Sequence, residues 1–198
     1  LTDMTQTLYH FPFEKNGRTP LQWQIGKIDS AEQRMVLMSK SNEMVSIRLV
    51  GGPQSVPYNA ELLHEAALVT RLVHAFVNHR VGTTPKGGIF VITPHRAQRS
   101  ASTQALKHAN LLQYCAVDTV DRMQGKEADI VIICYSFLGL DRVESEMDFI
   151  FDLNRVNVAI SRARSLVVLL CSDLVVRPPL SVVITPHRQA AFGHLMTF

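Results

Sequence analysis

The chain has 198 residues, 46% hydrophobic and 19% charged, with a formal net charge of +3 and a pI near 8.9. That length and apolar content predict one compact domain with a sizeable core, and the mild basic excess suits an anionic partner without identifying one. No apolar run reaches bilayer length and the N-terminus lacks the basic-then-apolar order of a signal peptide, so membrane-spanning and secreted classes are set aside.

Cys115, Cys134 and Cys171 are odd in number, lie in apolar sequence and show no C-x-x-C spacing. Buried free thiols of an intracellular protein, nuclear or cytoplasmic, are expected, with neither zinc nor a disulfide. The sequence opens on Leu1 and is read as a piece of something longer.

Residues 1–20 show little periodicity and end in turn signals, Asn16-Gly17 and Pro20. Three β-leaning runs follow, Trp23–Ile28, Arg34–Met38 and Met44–Val50, at hairpin-like distances. They predict a small sheet or meander, so residues 1–50 are taken as a β-rich N-terminal segment and 51–198 as the main domain. After Gly51-Gly52-Pro53, Asn59 offers an N-cap with Glu61 in the first turn. Leu62, Ala66, Val69, Val73, Phe76 and Val77 recur at helical spacing, with Glu61, Glu65, Arg71 and His74 off the stripe. His64, His74 and His79 have no carboxylate or Cys to complete a metal set, so solvated or core-edge histidines are expected.

Val81–Gly88 reads as a loop and Ile89–Thr93 as a buried strand. Thr93-Pro94 then resembles a helix N-cap with proline at the first position, opening a helix from about His95 to His108 that projects Gln98 and Arg99 near the sheet's carboxyl edge. The hexapeptide VITPHR returns at 183–188 with different flanks, which predicts a reused strand-to-helix junction and no duplication.

Thr119–Asp129 is a polar, Gly-containing turn feeding the β-branched run Ile130–Ile133, the pattern of a strand buried on both faces. The acidic stretch Asp141–Asp148 is expected to be an exposed loop. From Asp152 or Asn154 a helix places Val156, Ala159, Ile160 and Ala163 within about 100° of arc as its core face. Arg155 and Arg162 share one flank of that stripe, Asn157 and Arg164 the other. Ser165–Cys171 reads as a final buried strand, with a further strand at Leu180–Ile184 and a short C-terminal helix. Strand and helix alternate from residue 59, which predicts an α/β fold with a mainly parallel sheet and helices on both faces.

Three of these stretches, VITPHRAQR, VDTVDRMQGKEADIVI and NRVNVAISRAR, resemble motifs IV, V and VI of the second RecA-like motor domain of superfamily 1 helicases. The branch they resemble most holds the nonsense-mediated-decay RNA helicase and the replication helicase-nuclease. Order and spacing agree, and the likeness covers roughly residues 41–198.

The resemblance implies a RecA-like P-loop NTPase fold whose sheet edge faces ATP and Mg2+ held mainly by a first RecA-like motor domain of the same longer chain. It casts Arg162 as arginine finger with Arg99 as its partner. A planar guanidinium that holds two phosphoryl oxygens stabilises spreading charge more in the transition state than in the ground state. Gln124, Gly125 and Glu127 would meet the nucleotide, Gly125 by letting backbone approach phosphate closely. Thr93 and Thr119 would contact the backbone of single-stranded DNA or RNA without reading its sequence, and Asn157 and Arg164 would brace motif V or face the partner domain. The plainer alternatives are solvent-facing arginines and a capped turn. By family likeness, movement would run 5′ to 3′.

Departures set limits. No G-x-x-x-x-G-K-[ST] occurs, Gly82–Gly88 being GTTPKGG, and no strand ends in Asp-Glu to hold magnesium. Leu1–Phe11 lacks the Gln-Tyr-Arg-Met stretch that opens such domains. The chain alone is therefore expected to bind ATP weakly and not to hydrolyse it. Two readings stay open: half of an ATP-dependent helicase or translocase, or an ATP-independent nucleic-acid or protein interaction module that kept the fold.

Overall fold

The computed structural model describes residues 44–49, 57–79 and 88–196. Among the described residues, five strands form one sheet: β1 (Met44–Leu49), β2 (Ile89–Thr93), β3 (Cys115–Thr119), β4 (Ala128–Tyr135) and β5 (Ala163–Ser172), in the order β1-β5-β4-β2-β3. Every pairing is parallel. The sheet therefore has two distinct rims. The carboxyl rim carries Thr93 beside Thr119, and the amino rim carries Ala128 beside Ala163.

The central strands are near-continuous apolar runs because both faces are covered. One face buries Ile89, Val91, Ile130, Ile132, Val168 and Leu170 against α1 (Tyr58–His79) and α2 (Arg96–His108). The other buries Phe90, Ile92, Val131, Ile133, Val167 and Leu169 against α3 (Leu140–Ile150), α4 (Leu153–Ser161), α5 (Asp173–Val176) and α6 (Pro186–Met196). Truncating a side chain such as Ile132, fully buried in the middle strand, costs about 2–5 kcal/mol. The expected α/β sheet with helices on both faces is the observed one, and the three cysteines are free and buried.

Several expectations are corrected. The third N-terminal run, Met44–Leu49, pairs parallel with β5 as part of the main sheet, while the first two runs, and with them the expected small sheet or meander, lie outside the described residues. Helix α1 begins at Tyr58, its first amides bonded to the Pro57 carbonyl, so Asn59 is inside the helix. Glu61 and Glu65 face the interior, where the apolar stripe alone was expected. The cap of α2 is His95, since Thr93 still belongs to β2. The acidic stretch is helix α3, amphipathic through buried Val143 and Ile150. Leu180–Ile184 is a turn, so the second VITPHR lies at a turn-to-helix junction. Residues 81–87 of the expected loop lie outside the described residues.

Candidate functional site

Helix α4, which ends at the amino rim, is capped at its start by Asp152, whose carboxylate accepts from the Asn154 and Arg155 amides. The helix ends at Ser161 and Arg162 is its C-cap. This corrects the helical-flank reading beyond residue 161, since Ala163 and Arg164 already belong to β5. Val156, Ala159 and Ile160 form the buried face as expected.

The Arg162 guanidinium is held on three sides. Nε donates to the Val158 carbonyl at 3.0 Å, Nη1 to the Lys126 carbonyl at 3.2 Å and Nη2 to Ser161 Oγ at 2.9 Å. A guanidinium carries five N–H groups, so one donor on each terminal nitrogen remains uncommitted among the described residues. Among those residues no carboxylate pairs with Arg162. The result is a fixed cation with a two-pronged donor edge, half-buried at the rim.

Beside it runs the segment that returns from β3 to β4. Gly125 has φ +75°, a left-handed conformation that favours glycine, and a Cβ built there would meet nothing within 4 Å. Backbone conformation, then, is what requires glycine at this position. Gln124, Lys126 and Glu127 are exposed. Glu127 accepts from Arg164 Nε at 3.2 Å, and Arg164 Nη1 lies 3.5 Å from Asp129. Arg164 thus contacts the segment through Glu127 and Asp129, whereas Asn157 is buried on α4 with its Nδ2 unpartnered among the described residues.

The carboxyl rim presents a different arrangement: a cleft of about 470 Å³ lined by Pro94, His95, Arg96, Arg99, Thr119, Asp121 and Arg122. Arg99 Nη1 donates to Asp118 Oδ1 at 3.0 Å, and the Thr119 amide donates to the same oxygen at 2.9 Å. Partial burial would raise the Asp118 pKa. The Thr119 amide, the Arg99 guanidinium and the Arg122 charge together outweigh it and hold the carboxyl below its ordinary value. Three arginines against Asp118 and Asp121 leave the cleft basic, the electrostatics that phosphate requires. Thr93, expected to contact nucleic acid, is fully buried, and its hydroxyl donates within its own chain to the His95 carbonyl at 3.4 Å. It does not reach the cleft.

Behind the cleft lies a buried polar network. Glu65 Oε1 accepts from Gln98 Nε2 at 3.1 Å, and Oε2 accepts from the Ser136 amide at 3.3 Å and from the Ser136 hydroxyl. Glu61 Oε1 accepts from the Leu138 amide at 3.2 Å. Burial pushes the carboxyls of both glutamates above their ordinary values, against the lowering effect of those donors. The network ties α1, the first turn of α2 and the carboxyl end of β4 into one unit.

The structure thus brings Arg162, Gly125 and the neighbouring Gln124 and Glu127 together, and separately Arg99 with Thr119. It does not bring Arg99 to Arg162. The sequence reading missed β3 and, with it, Asp118 as the partner of Arg99. The apolar run around Cys115–Val117, ending in Asp118-Thr119, was the signal that would have shown it. No group of three or more metal-ligating side chains gathers among the described residues, and no helix there is long and apolar enough to cross a membrane.

A profile of the AAA_12 family, described as an AAA domain, matches residues 19–174. DNA-binding protein SMUBP-2 of Rattus norvegicus is 34% identical over 111 residues, covering 55% of this chain and 10% of that protein. Regulator of nonsense transcripts 1 homolog of Drosophila melanogaster is 28% identical over 140 residues, covering 68% and 10%. DNA replication ATP-dependent helicase/nuclease DNA2 of Homo sapiens is 33% identical over 106 residues, covering 54% and 9%. The chain spans about a tenth of the length of these relatives.

Proposed function

The chain belongs to the AAA_12 family, the C-terminal helicase domain of Upf1-like superfamily 1 helicases, and from that premise we propose that it is the second motor half of an ATP-dependent helicase or translocase. Its amino rim would face ATP and Mg2+ held by a first motor domain, and its carboxyl-rim cleft would hold the backbone of single-stranded DNA or RNA. The observation that carries this reading is Arg162, fixed by three donor contacts with two N–H groups still presented outward.

ATP when bound supplies the phosphoryl group that is transferred to water, with Mg2+ neutralising part of its charge. This chain contributes orientation and electrostatics. A guanidinium whose position is set in advance needs no reorganisation as charge develops on the equatorial oxygens, so it stabilises the transition state preferentially. Gly125 lets the backbone turn close to the phosphates, and Gln124 and Glu127 stand exposed on either side for the nucleotide.

At the other rim, Arg99, Thr119 and Arg122 offer two guanidinium groups and a hydroxyl to backbone phosphates, contacts that position a strand without reading bases. Arg99 belongs with this cleft and not with Arg162, which revises its expected role as a second finger. The same reading places the protein inside the cell, in nucleus or cytoplasm.

The test is ATP hydrolysis by the longer protein that carries this chain, with and without a single-stranded oligonucleotide. Hydrolysis stimulated by the oligonucleotide is expected. Oligonucleotide binding with no hydrolysis under any condition would instead favour the ATP-independent module.

A further inference from the structure

Two walls of the carboxyl-rim cleft rest on two side chains that stack on each other, Phe149 under one wall and Arg155 under the other, neither of which lines the cleft. From the β2–α2 turn, His95 packs on the Phe149 ring with centroids 5.4 Å apart, and its Nε2 lies 2.7 Å from Glu146 Oε2 on the same helix, α3. From the turn after β3, Asp121 Oδ1 lies 3.9 Å from Arg155 Nε. Arg155 in turn lies over Phe149, its Cζ 4.6 Å from the ring centroid, and its Nη1 is 3.8 Å from Asp152 Oδ2. Tyr135 closes the group from beneath, edge-on to Phe149 at 6.4 Å.

Arg155 stands in the first turn of α4, and Arg162 caps the far end of that helix, seven residues on and on the same flank. Val156, Ala159 and Ile160 bury the intervening turns completely or nearly so, so the helix moves as one body. Nine residues at 1.5 Å each give α4 a length of about 14 Å, most of the distance from one rim of the sheet to the other. A phosphate entering the cleft beside Arg99 and Arg122 repels the Asp121 carboxylate. That side chain is 64% exposed and has room to move onto Arg155. Occupancy of one rim thereby acquires a differential interaction with the helix that sets the cation of the other, which is what coupling between two sites requires.

We infer that Arg155, stacked on Phe149, is a positioning residue that transmits occupancy of the carboxyl-rim cleft along α4 to Arg162. The inference rests on the reading of the two rims given above. It concerns a residue that touches neither ligand, so it can fail while that reading stands.

The experiment uses the longer protein with Arg155→Ala and Arg155→Lys, measured with no oligonucleotide and with saturating oligodeoxythymidylate or oligouridylate. For Arg155→Ala, oligonucleotide affinity and KM for ATP stay within about threefold of wild type and hydrolysis without oligonucleotide within about twofold. The stimulation ratio falls about tenfold, within the range of ordinary coupling between sites. Arg155→Lys keeps the charge opposite Asp121 but loses the planar stack, and falls between the two; it also serves if the alanine variant does not fold.

Wild-type stimulation in both variants overturns the inference. So does an equal drop in hydrolysis with and without oligonucleotide, since that is what a merely structural residue produces. A wild-type protein that neither oligonucleotide stimulates contradicts the underlying reading of the rims, and this inference with it.

Discussion

Arg99 and Arg162 stand at opposite rims of one parallel sheet. Arg99 follows the carboxyl end of β2, whereas Arg162 immediately precedes the amino end of β5. With about 3.3 Å per residue, the five or six strand residues between the rims correspond to roughly 16–20 Å. On that topology we assign the two guanidinium groups to different ligands. Each therefore makes its own prediction.

Arg99 is expected to act on nucleic-acid affinity. Arg99→Ala in the longer protein should weaken single-strand binding and flatten the dependence of log K on log salt by about 0.7, the slope associated with one phosphate contact on a single strand. Oligonucleotide titrations at several salt concentrations measure this. Unchanged binding together with lost hydrolysis would place Arg99 at the nucleotide instead.

Gly125 tests the backbone argument. With φ at +75° and open space where a Cβ would go, Gly125→Ala is penalised by conformation and not by a clash. A cost of about 1–2 kcal/mol is expected, read as a lower urea midpoint at unchanged slope. A variant as stable as wild type would show that the turn tolerates a side chain.

Glu65 makes a pH prediction. Burial, its largest influence, raises the folded-state pKa above 4.5 despite the Ser136 and Gln98 donors. The folded chain therefore binds this proton more readily than the unfolded chain. Its contribution to stability is greatest below the unfolded pKa and declines as pH rises towards the folded value. Glu65→Gln should remove that part of the slope in denaturation curves taken from pH 4.5 upward. Glu65→Ala, which leaves buried donors on Gln98 and Ser136 without an acceptor, should cost about 2–4 kcal/mol at every pH. Parallel pH profiles for wild type and Glu65→Gln would show that this carboxyl does not titrate there.

The 198-residue chain by itself is expected to bind ATP weakly and to release no phosphate above background. It has no G-x-x-x-x-G-K-[ST] loop to cradle the β- and γ-phosphates. Appreciable turnover by the isolated chain would mean that the division of labour between two motor domains is wrong.

The parallel sheet was legible because its strands are short apolar runs bounded by turns, and two-sided burial leaves that pattern in Ile130–Ile133 and Leu166–Leu170. The core face of α4 was legible from period 3.6. What periodicity does not reveal is where a helix stops: Arg164 fits the helical flank of Asn157 on paper, yet Arg162 ends the helix and Arg164 turns to Glu127. Acidic content disguised α3, whose only fully buried side chains are Val143 and Ile150. Glu61 and Glu65 were placed on the wrong side because a buried carboxylate depends on distant donors, Leu138 and Ser136, more than 70 positions along the chain. VITPHR adopted two conformations because only its first copy has neighbouring strands to pair with. Convergence of Arg99 and Arg162 failed for a similar reason, since adjacency of motifs in sequence does not say which rim each one occupies.

The most direct measurement is steady-state ATP hydrolysis by the longer protein with Arg162→Ala. Loss of a guanidinium that meets developing charge should lower kcat by about 10³-fold or more. The chain should remain folded, because the three hydrogen bonds lost are partly exposed and each contributes only about 1 kcal/mol. Arg162→Lys should not restore the rate, since a single ammonium cannot reproduce the two-pronged donor edge. A folded Arg162→Ala protein that turns over ATP at the wild-type rate would contradict the account.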